Sequence, residues 1–122
     1  MSDWNEDLPI FRQLALRVSD QIAQGVWADG DALPSVRAVS ADLKINHLTV
    51  LKGYQLLVDD GLVEKRRGQG MFVAPGAQAK LKAKQKQQFI SEQIPKIRRT
   101  LRQLDMPLEE FISRLKQNIE GE

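Results

Sequence analysis

Two periods of apolar spacing alternate along this chain, and the switches between them outline its architecture. Ile10, Leu14, Val18 and Ile22 recur every fourth residue, and Phe11 and Ala15 widen the stripe. That pattern is one face of a helix. Pro9 suits its first turn and Gly25 its left-handed C-terminal cap, so a helix is predicted between them. Val26-Trp27 reads as an apolar connection, Asp29-Gly30-Asp31 as a turn and Ala32-Leu33 as a short strand. Trp27, a lone aromatic beside a turn, is expected to cover the core. A second helix begins after Leu33-Pro34, with Ser35 as its N-cap and Val36, Val39 and Leu43 facing inward. Lys44-Ile45 turns the chain. Asn46 is placed to cap a third helix from His47 to about Asp59, with Val50, Tyr54, Leu57 and Val58 as its buried side. The period then changes to two. Leu62-Val63 and Met71-Phe72-Val73 are read as strands around the turn Arg66-Arg67-Gly68-Gln69-Gly70.

Residues 1–8 are expected to form a loose arm, and Ala74-Pro75-Gly76 to close a first domain over residues 1–76. Beyond it lies a region of different character, residues 77–122. One long helix is predicted from 77 to about 104. Its Ile90, Ile94, Ile97, Leu101 and Leu104 are spaced four, three, four and three, a narrow heptad seam. Pro95 stands inside the seam and should kink the helix. Asp105-Met106-Pro107 breaks it. A last helix over about 107–119 places Leu108, Phe111, Ile112, Leu115 and Ile119 on one face, with Glu109-Glu110 at its positive start. Two amphipathic helices hold too little chain for a pocketed domain. Their economical use is an isologous dimer interface built from Ile90, Ile94, Ile97, Leu101, Leu104, Leu108, Phe111 and Leu115. The fold class is therefore mainly α (α+β): a winged helix-turn-helix followed by a short two-helix dimerisation tail.

Composition narrows the function. The chain has no cysteine, which excludes disulfides, thiolate nucleophiles and cysteine-ligated metal sites, and suits a reducing compartment. The start, MSDWNEDLPIF, is acidic, and no window reaches the length of a membrane span. A cytoplasmic location is expected. The formal net charge is +2, but it is unevenly spread. Residues 65–102 hold eleven bases against one acid, Glu92, whereas residues 1–61 hold nine acids and five bases. A segregated basic stretch suits a polyanion. For Lys80, Lys82, Lys84 and Lys86 a solvated helix face explains the charge equally well. Lys65, Arg66 and Arg67 differ because they approach the tip of a ribbon.

In a helix-turn-helix the start of the second helix reaches base edges and flanking phosphates. Here that start carries Asn46, His47, Leu48, Thr49 and Lys52. Thr49 can donate its hydroxyl to a phosphate, Lys52 can meet a phosphate or a guanine edge, and Leu48 can touch a thymine methyl. Arg37 opposes the positive end of the preceding helix, so a phosphate or an ion pair with Asp31 or Asp42 must compensate it. The glycines of the ribbon tip, Gly68 and Gly70, leave room for a backbone wall, and Arg66 and Arg67 beside them suit a narrow minor groove. Gln69 lies between the glycines. His47 is the one histidine, and no carboxylate stands at a convincing catalytic or metal-binding spacing. No metal, cofactor or reaction is assigned.

Taken together, PIFRQLALRVSDQIAQGVW, GDALPSVRAVSADLKI and TVLKGYQLLVDDGLVEKRRGQGMFV resemble the DNA-binding domain of GntR-family bacterial transcription regulators. The resemblance covers about residues 9–74, and the short helical tail resembles the compact YtrA-type subfamily. It implies a homodimeric repressor of an inverted-repeat operator, in a transporter operon, with contacts from Arg37, Asn46, His47, Leu48, Thr49, Gly68 and Gly70; Ser35 is counted with them among the candidate DNA-binding residues. Three positions depart from the family pattern. Lys44 stands where glycine is usual and can add a phosphate contact. His47 replaces an arginine or proline, and Leu48 a polar residue. Other readings stay open: a nucleoid or partition-type protein of low sequence preference, the head of an aminotransferase-like enzyme, or an adaptor that does not bind DNA. A small-molecule effector would have to act at the dimer seam or between the long helix and the winged domain.

Overall fold

The computed structural model describes Trp4 and residues 7–120, with the side chains of Ile119 and Glu120 left out. The expected loose arm thus lies largely outside the described residues. So does the side chain of Ile119, which was expected on the apolar face of the last helix. The chain forms two compact units, one ending at Ala83 and the other beginning at Lys84.

The first unit is built around α1 (Ile10–Ala23), α2 (Val36–Leu43) and α3 (His47–Asp59). α2 and α3 begin at side-chain caps, and α1 and α3 end at glycines. Pro9 precedes α1 in an extended conformation. Ser35 Oγ accepts from the Ala38 amide at 3.0 Å, and Asn46 Oδ1 accepts from the Leu48 amide at 2.7 Å. Caps of this kind stabilise a helix by about 1 kcal/mol each. At the other ends, Gly25 and Gly61 take positive φ. The following amides, of Val26 and Leu62, reach back to the Gln21 and Leu57 carbonyls at 2.8 and 2.9 Å. These are the paired bonds of a Schellman ending.

Leu14, Ala15, Val18, Ile22 and Ala23 of α1 meet Val50, Tyr54 and Leu57 of α3 in the core. Ile10, expected on the same stripe, is exposed; the stripe is buried only from Leu14 onward. Tyr54 reaches across the core to the turn before α2, where its hydroxyl donates to the Pro34 carbonyl at 2.7 Å. No residue of α2 is fully buried, although Val36, Val39 and Leu43 do pack against the core as expected. A cleft of about 400 Å³, walled in part by Val18, Trp27, Leu33 and Val39, leaves its inner side partly open. Trp27 is half-buried over this region, its indole N–H donating to Gln21 Oε1 at 2.9 Å.

β1 (Val63–Arg66) and β2 (Gly70–Val73) pair antiparallel in the register Val63 to Val73 and Arg66 to Gly70. The expected strand at Ala32-Leu33 is a single bridge, from Ala32 to Phe72. Val63, Met71 and Val73 point into the core, while Glu64, Lys65 and Arg66 stay outside. α4 (Ala77–Gln88) adds Ala77 and Leu81 to the same core. This is why the first unit extends to Ala83 rather than stopping at Gly76, where its composition changes.

In the second unit the helix expected to run unbroken to residue 104 is interrupted. Residues Phe89–Gln93 form a π turn, followed by α5 (Ile94–Gln103) and α6 (Leu108–Glu120). The cause stands two residues later. Pro95 has no amide hydrogen, and its ring would clash with the carbonyl four residues back. The π turn takes up one extra residue, closed by the Ile94 amide bonding the Phe89 carbonyl, and Pro95 then occupies the first turn of α5. α5 ends in a further Schellman-type closure, with Asp105 rather than glycine at φ 53° and the Met106 amide on the Leu101 carbonyl at 2.9 Å.

Burial pushes the Tyr54 phenol up to about 12 from the ordinary value of 10.0. The folded chain therefore keeps a proton that the unfolded chain releases between those values, so Tyr54's contribution to stability falls as pH rises through that window. Tyr54→Phe is expected to lower stability by about 1 kcal/mol in urea titrations at neutral pH. The gap between the two proteins should close as pH rises from 10 to 12. Parallel curves would show that the hydroxyl is not buried.

Candidate nucleic-acid interface

The N-terminal turns of α2 and α3 carry the residues singled out from the sequence. Arg37, Lys44, Asn46, His47, Leu48 and Lys52 are all exposed, and Thr49 is half-buried. Ser35 and Asn46 are also present at the surface, but their side-chain oxygens are already used as caps. Their role is to fix where each helix starts, and with it the direction in which the amides of the first turn point. Arg37 forms no ion pair with Asp31, Asp42 or any other described residue. Asp31 instead accepts from the Ala28 amide within its own turn. The compensating anion for Arg37 is thus not supplied by any described residue.

Between the helices, Lys44 adopts the left-handed conformation at φ 56°. That conformation is costly for a residue with a Cβ and explains the preference for glycine at such a turn. Here an exposed cation occupies it, three residues before the first residue of α3. Lys52, one turn into α3, lies 5.8 Å from the Phe11 ring.

The ribbon tip is tighter than its sequence suggested. Arg66 and Gly70 pair across the strands, so the turn itself is Arg67-Gly68-Gln69, closed by the Gln69 amide on the Arg66 carbonyl at 2.9 Å. Gly68 takes φ +75° at the third position of this turn, the conformation of a type II turn. A Cβ added at Gly68 or Gly70 would meet nothing within 4 Å, so the tip stands in open space. The two arginines differ. Arg66 lies over the Phe72 ring at 4.1 Å and 3.7 Å from Glu64, which holds it along the ribbon. Arg67 has neither kind of partner among the described residues and is the cation at the tip. Of the lysine-rich stretch that follows, Lys80 is turned back to donate to the Asp60 carbonyl at 2.6 Å, at the C-terminal end of α3. It reinforces the negative end of that helix.

In the second unit an apolar groove of about 980 Å³ lies between α5 and α6. Ile94, Ile97, Leu101, Leu108, Phe111 and Leu115, all assigned to a dimer interface from the sequence, line it. Ile90 and Leu104 do not. The π turn rotates the preceding residues, so Phe89 takes the place expected of Ile90, and Leu104 falls outside at the end of α5. Met106 and Pro107 of the connecting turn were also not anticipated from periodicity. Among the described residues no group of histidine, aspartate and glutamate could hold a metal ion, and no helix is long and apolar enough to cross a membrane.

Three helices with an exposed, capped second helix of the pair, followed by a basic two-stranded ribbon, define a winged helix-turn-helix of the DNA-binding type. Residues 11–73 match the family described as bacterial regulatory proteins, gntR family. The chain belongs to that family of DNA-binding transcriptional regulators. It is 31% identical over 113 residues to the HTH-type transcriptional regulator YhcF of Bacillus subtilis, covering 93% of this chain and 92% of YhcF. It is 30% identical over 95 residues to the HTH-type transcriptional repressor YtrA of the same organism, covering 78% and 72%. The regulator YdcR of Escherichia coli is 42% identical over 67 residues, but the chain spans only 14% of that protein's length. A GntR-family regulator structure from Bacteroides thetaiotaomicron superposes with a TM-score of 0.74 at 29% identity, over 91% of this chain and 97% of that one. The DNA-binding domain of AraR, solved with its operator ORE1, superposes at 0.54 with 25% identity, over 61% and 93%.

Two substitutions separate the roles of the exposed cations. Arg37→Ala should weaken binding to every duplex and reduce the salt slope by about one unit. An unchanged slope would mean that Arg37 does not meet a phosphate. Lys44→Gly relieves the left-handed strain and should raise stability by about 0.5–1 kcal/mol. If Lys44 meets phosphate, the same change lowers affinity; equal gains in both would remove that contact.

Proposed function

We propose that the chain is a homodimeric repressor that binds an inverted-repeat operator. Each protomer places the N-terminal half of α3 in a major groove and the Arg67-Gly68-Gln69 tip at the neighbouring minor groove. The observation that carries this reading is the state of α3. One face is locked into the core through Val50, Tyr54 and Leu57, and the opposite face is open, capped at its start and flanked by Arg37 and Lys44, which form no ion pair among the described residues. A surface serving only structure would have paired Arg37 and avoided a lysine in left-handed geometry. The operator complex of AraR's DNA-binding domain supports the same use of a similar fold.

Dimerisation is assigned to the second unit. Its groove is lined mainly by apolar side chains, and Phe89, Leu108 and Leu115 are about half exposed on the single chain. A second copy of the same hairpin presents the same residues in return, which is the requirement of an isologous contact. The repressor reading follows the likeness to YtrA, and a transporter operon is the target class that the YtrA-type resemblance implies. A small-molecule effector would find its place in this dimer seam, where it could change the spacing of the two recognition helices.

Leu115→Glu tests the dimer within the full chain, because the side chain is exposed and its loss leaves the winged unit intact. The expected result is a monomer in sedimentation, with affinity for the inverted repeat falling toward that for one half-site. A variant that remains dimeric would place the interface elsewhere. The reading of low sequence preference is separated by the ratio of operator to scrambled affinity, expected at about 10³ or more for a regulator.

A further inference from the structure

We propose that Leu48 and Leu51 form an apolar reading strip that selects thymine methyl groups in each half-site. This rests on the operator-binding reading above and adds to it the chemistry that the recognition helix reads. Leu48 is 66% exposed, more than any other large hydrophobic residue described, and Leu51 is 44% exposed. They stand three residues apart and so share one face of α3. Val50 and Leu57 on the other side are 0% and 1% exposed. A single exposed leucine is ordinary on a protein surface. These two are informative because of where they stand: the second and fifth residues of the helix, between the exposed cations Lys44 and Lys52.

Amide readers of adenine are scarce on this face. Bidentate reading of adenine needs a free amide carbonyl and amino group on one side chain. Asn46 Oδ1 is engaged by the Leu48 amide, and Gln55 Nε2 donates to Asp59 Oδ1 at 2.9 Å. Between the polar His47 and Lys52, what remains is hydrocarbon. In the major groove, only thymine presents an apolar group, its C5-methyl. A leucine pressed on the cytosine amino group or the guanine O6 would remove water and return no hydrogen bond. The strip therefore favours thymine and disfavours G·C pairs at the positions it covers. A protein partner seated on the same leucines would be indifferent to a base methyl.

Deoxyuridine separates these cases, because it differs from thymidine only by that methyl. The full-length protein is titrated by anisotropy against its selected operator, with each thymine replaced by uracil in turn. At one or two positions per half-site, uracil should weaken binding by about three- to fivefold, the effect of burying one methyl. In Leu48→Ala or Leu51→Ala the thymine and uracil operators should bind alike at the position that residue covers. Uracil tolerated everywhere, with the operator still preferred over scrambled DNA, overturns the strip and leaves the regulator reading intact. A uracil penalty unchanged in both variants also overturns it. Absence of any preferred operator removes the regulator reading itself.

Discussion

The seating of α3 on α1 is the constraint from which the rest of the first unit follows. The two helices approach closely at Gly53. A Cβ there would stand 3.0 Å from the Phe11 carbonyl oxygen and 3.1 Å from Leu14 Cδ2. One of those neighbours is backbone and cannot swing aside. Close approach lets Val50, Tyr54 and Leu57 sink fully into the core, each contributing about 1.5–3 kcal/mol of apolar burial. It also fixes the rotation of α3 about its axis. Leu48, Leu51 and Lys52 consequently face outward, and the Asn46 cap sets the register at which the helix begins. The Tyr54 hydroxyl joins this assembly to the turn before α2, so the two helices of the motif are tied through the same core.

The second unit solves a different problem with the same physics. A proline in a long amphipathic helix removes one hydrogen bond and introduces a clash, and the π turn at Phe89–Gln93 absorbs both. The inserted residue also changes which side chains share a face. Phe89 enters the groove and Ile90 leaves it. The groove gains an aromatic ring at one end, and Asp105 and Pro107 close the other by stopping α5 and restarting the chain into α6.

Much of this was legible from the amino-acid sequence, and the reason is locality. Ser35, Asn46, Gly25 and the Gly68 turn act on residues two to five positions away, so their effects can be read from spacing alone. The winged helix-turn-helix and the exposed start of α3 follow from those signals and the change of period. What escaped were consequences of longer reach. Ala77 and Leu81 look like part of a lysine-rich helix, and only the fold shows that they complete the first core. Ile10 fits the stripe of α1 but extends beyond the layer that covers it. Leu51 was overlooked because an apolar residue in a helix is ordinarily assigned inward. Arg66 looked equivalent to Arg67 until the register placed it beside Phe72 and Glu64. The π turn had one visible signal, Pro95, but a proline announces a distortion without specifying its form.

Methylation interference on the operator tests the central claim most directly. Methyl groups at guanine N7 lie in the major groove, and those at adenine N3 lie in the minor groove. Two patches of guanine interference flanking the thymines that Leu48 and Leu51 cover, related by the operator's two-fold symmetry and each with adenine interference beside it, are the expected result for two α3 helices and two basic tips. Interference confined to the minor groove, or restricted to one half-site under conditions where the protein is fully dimeric, would contradict the docking of α3 and with it the account of how this fold reads DNA.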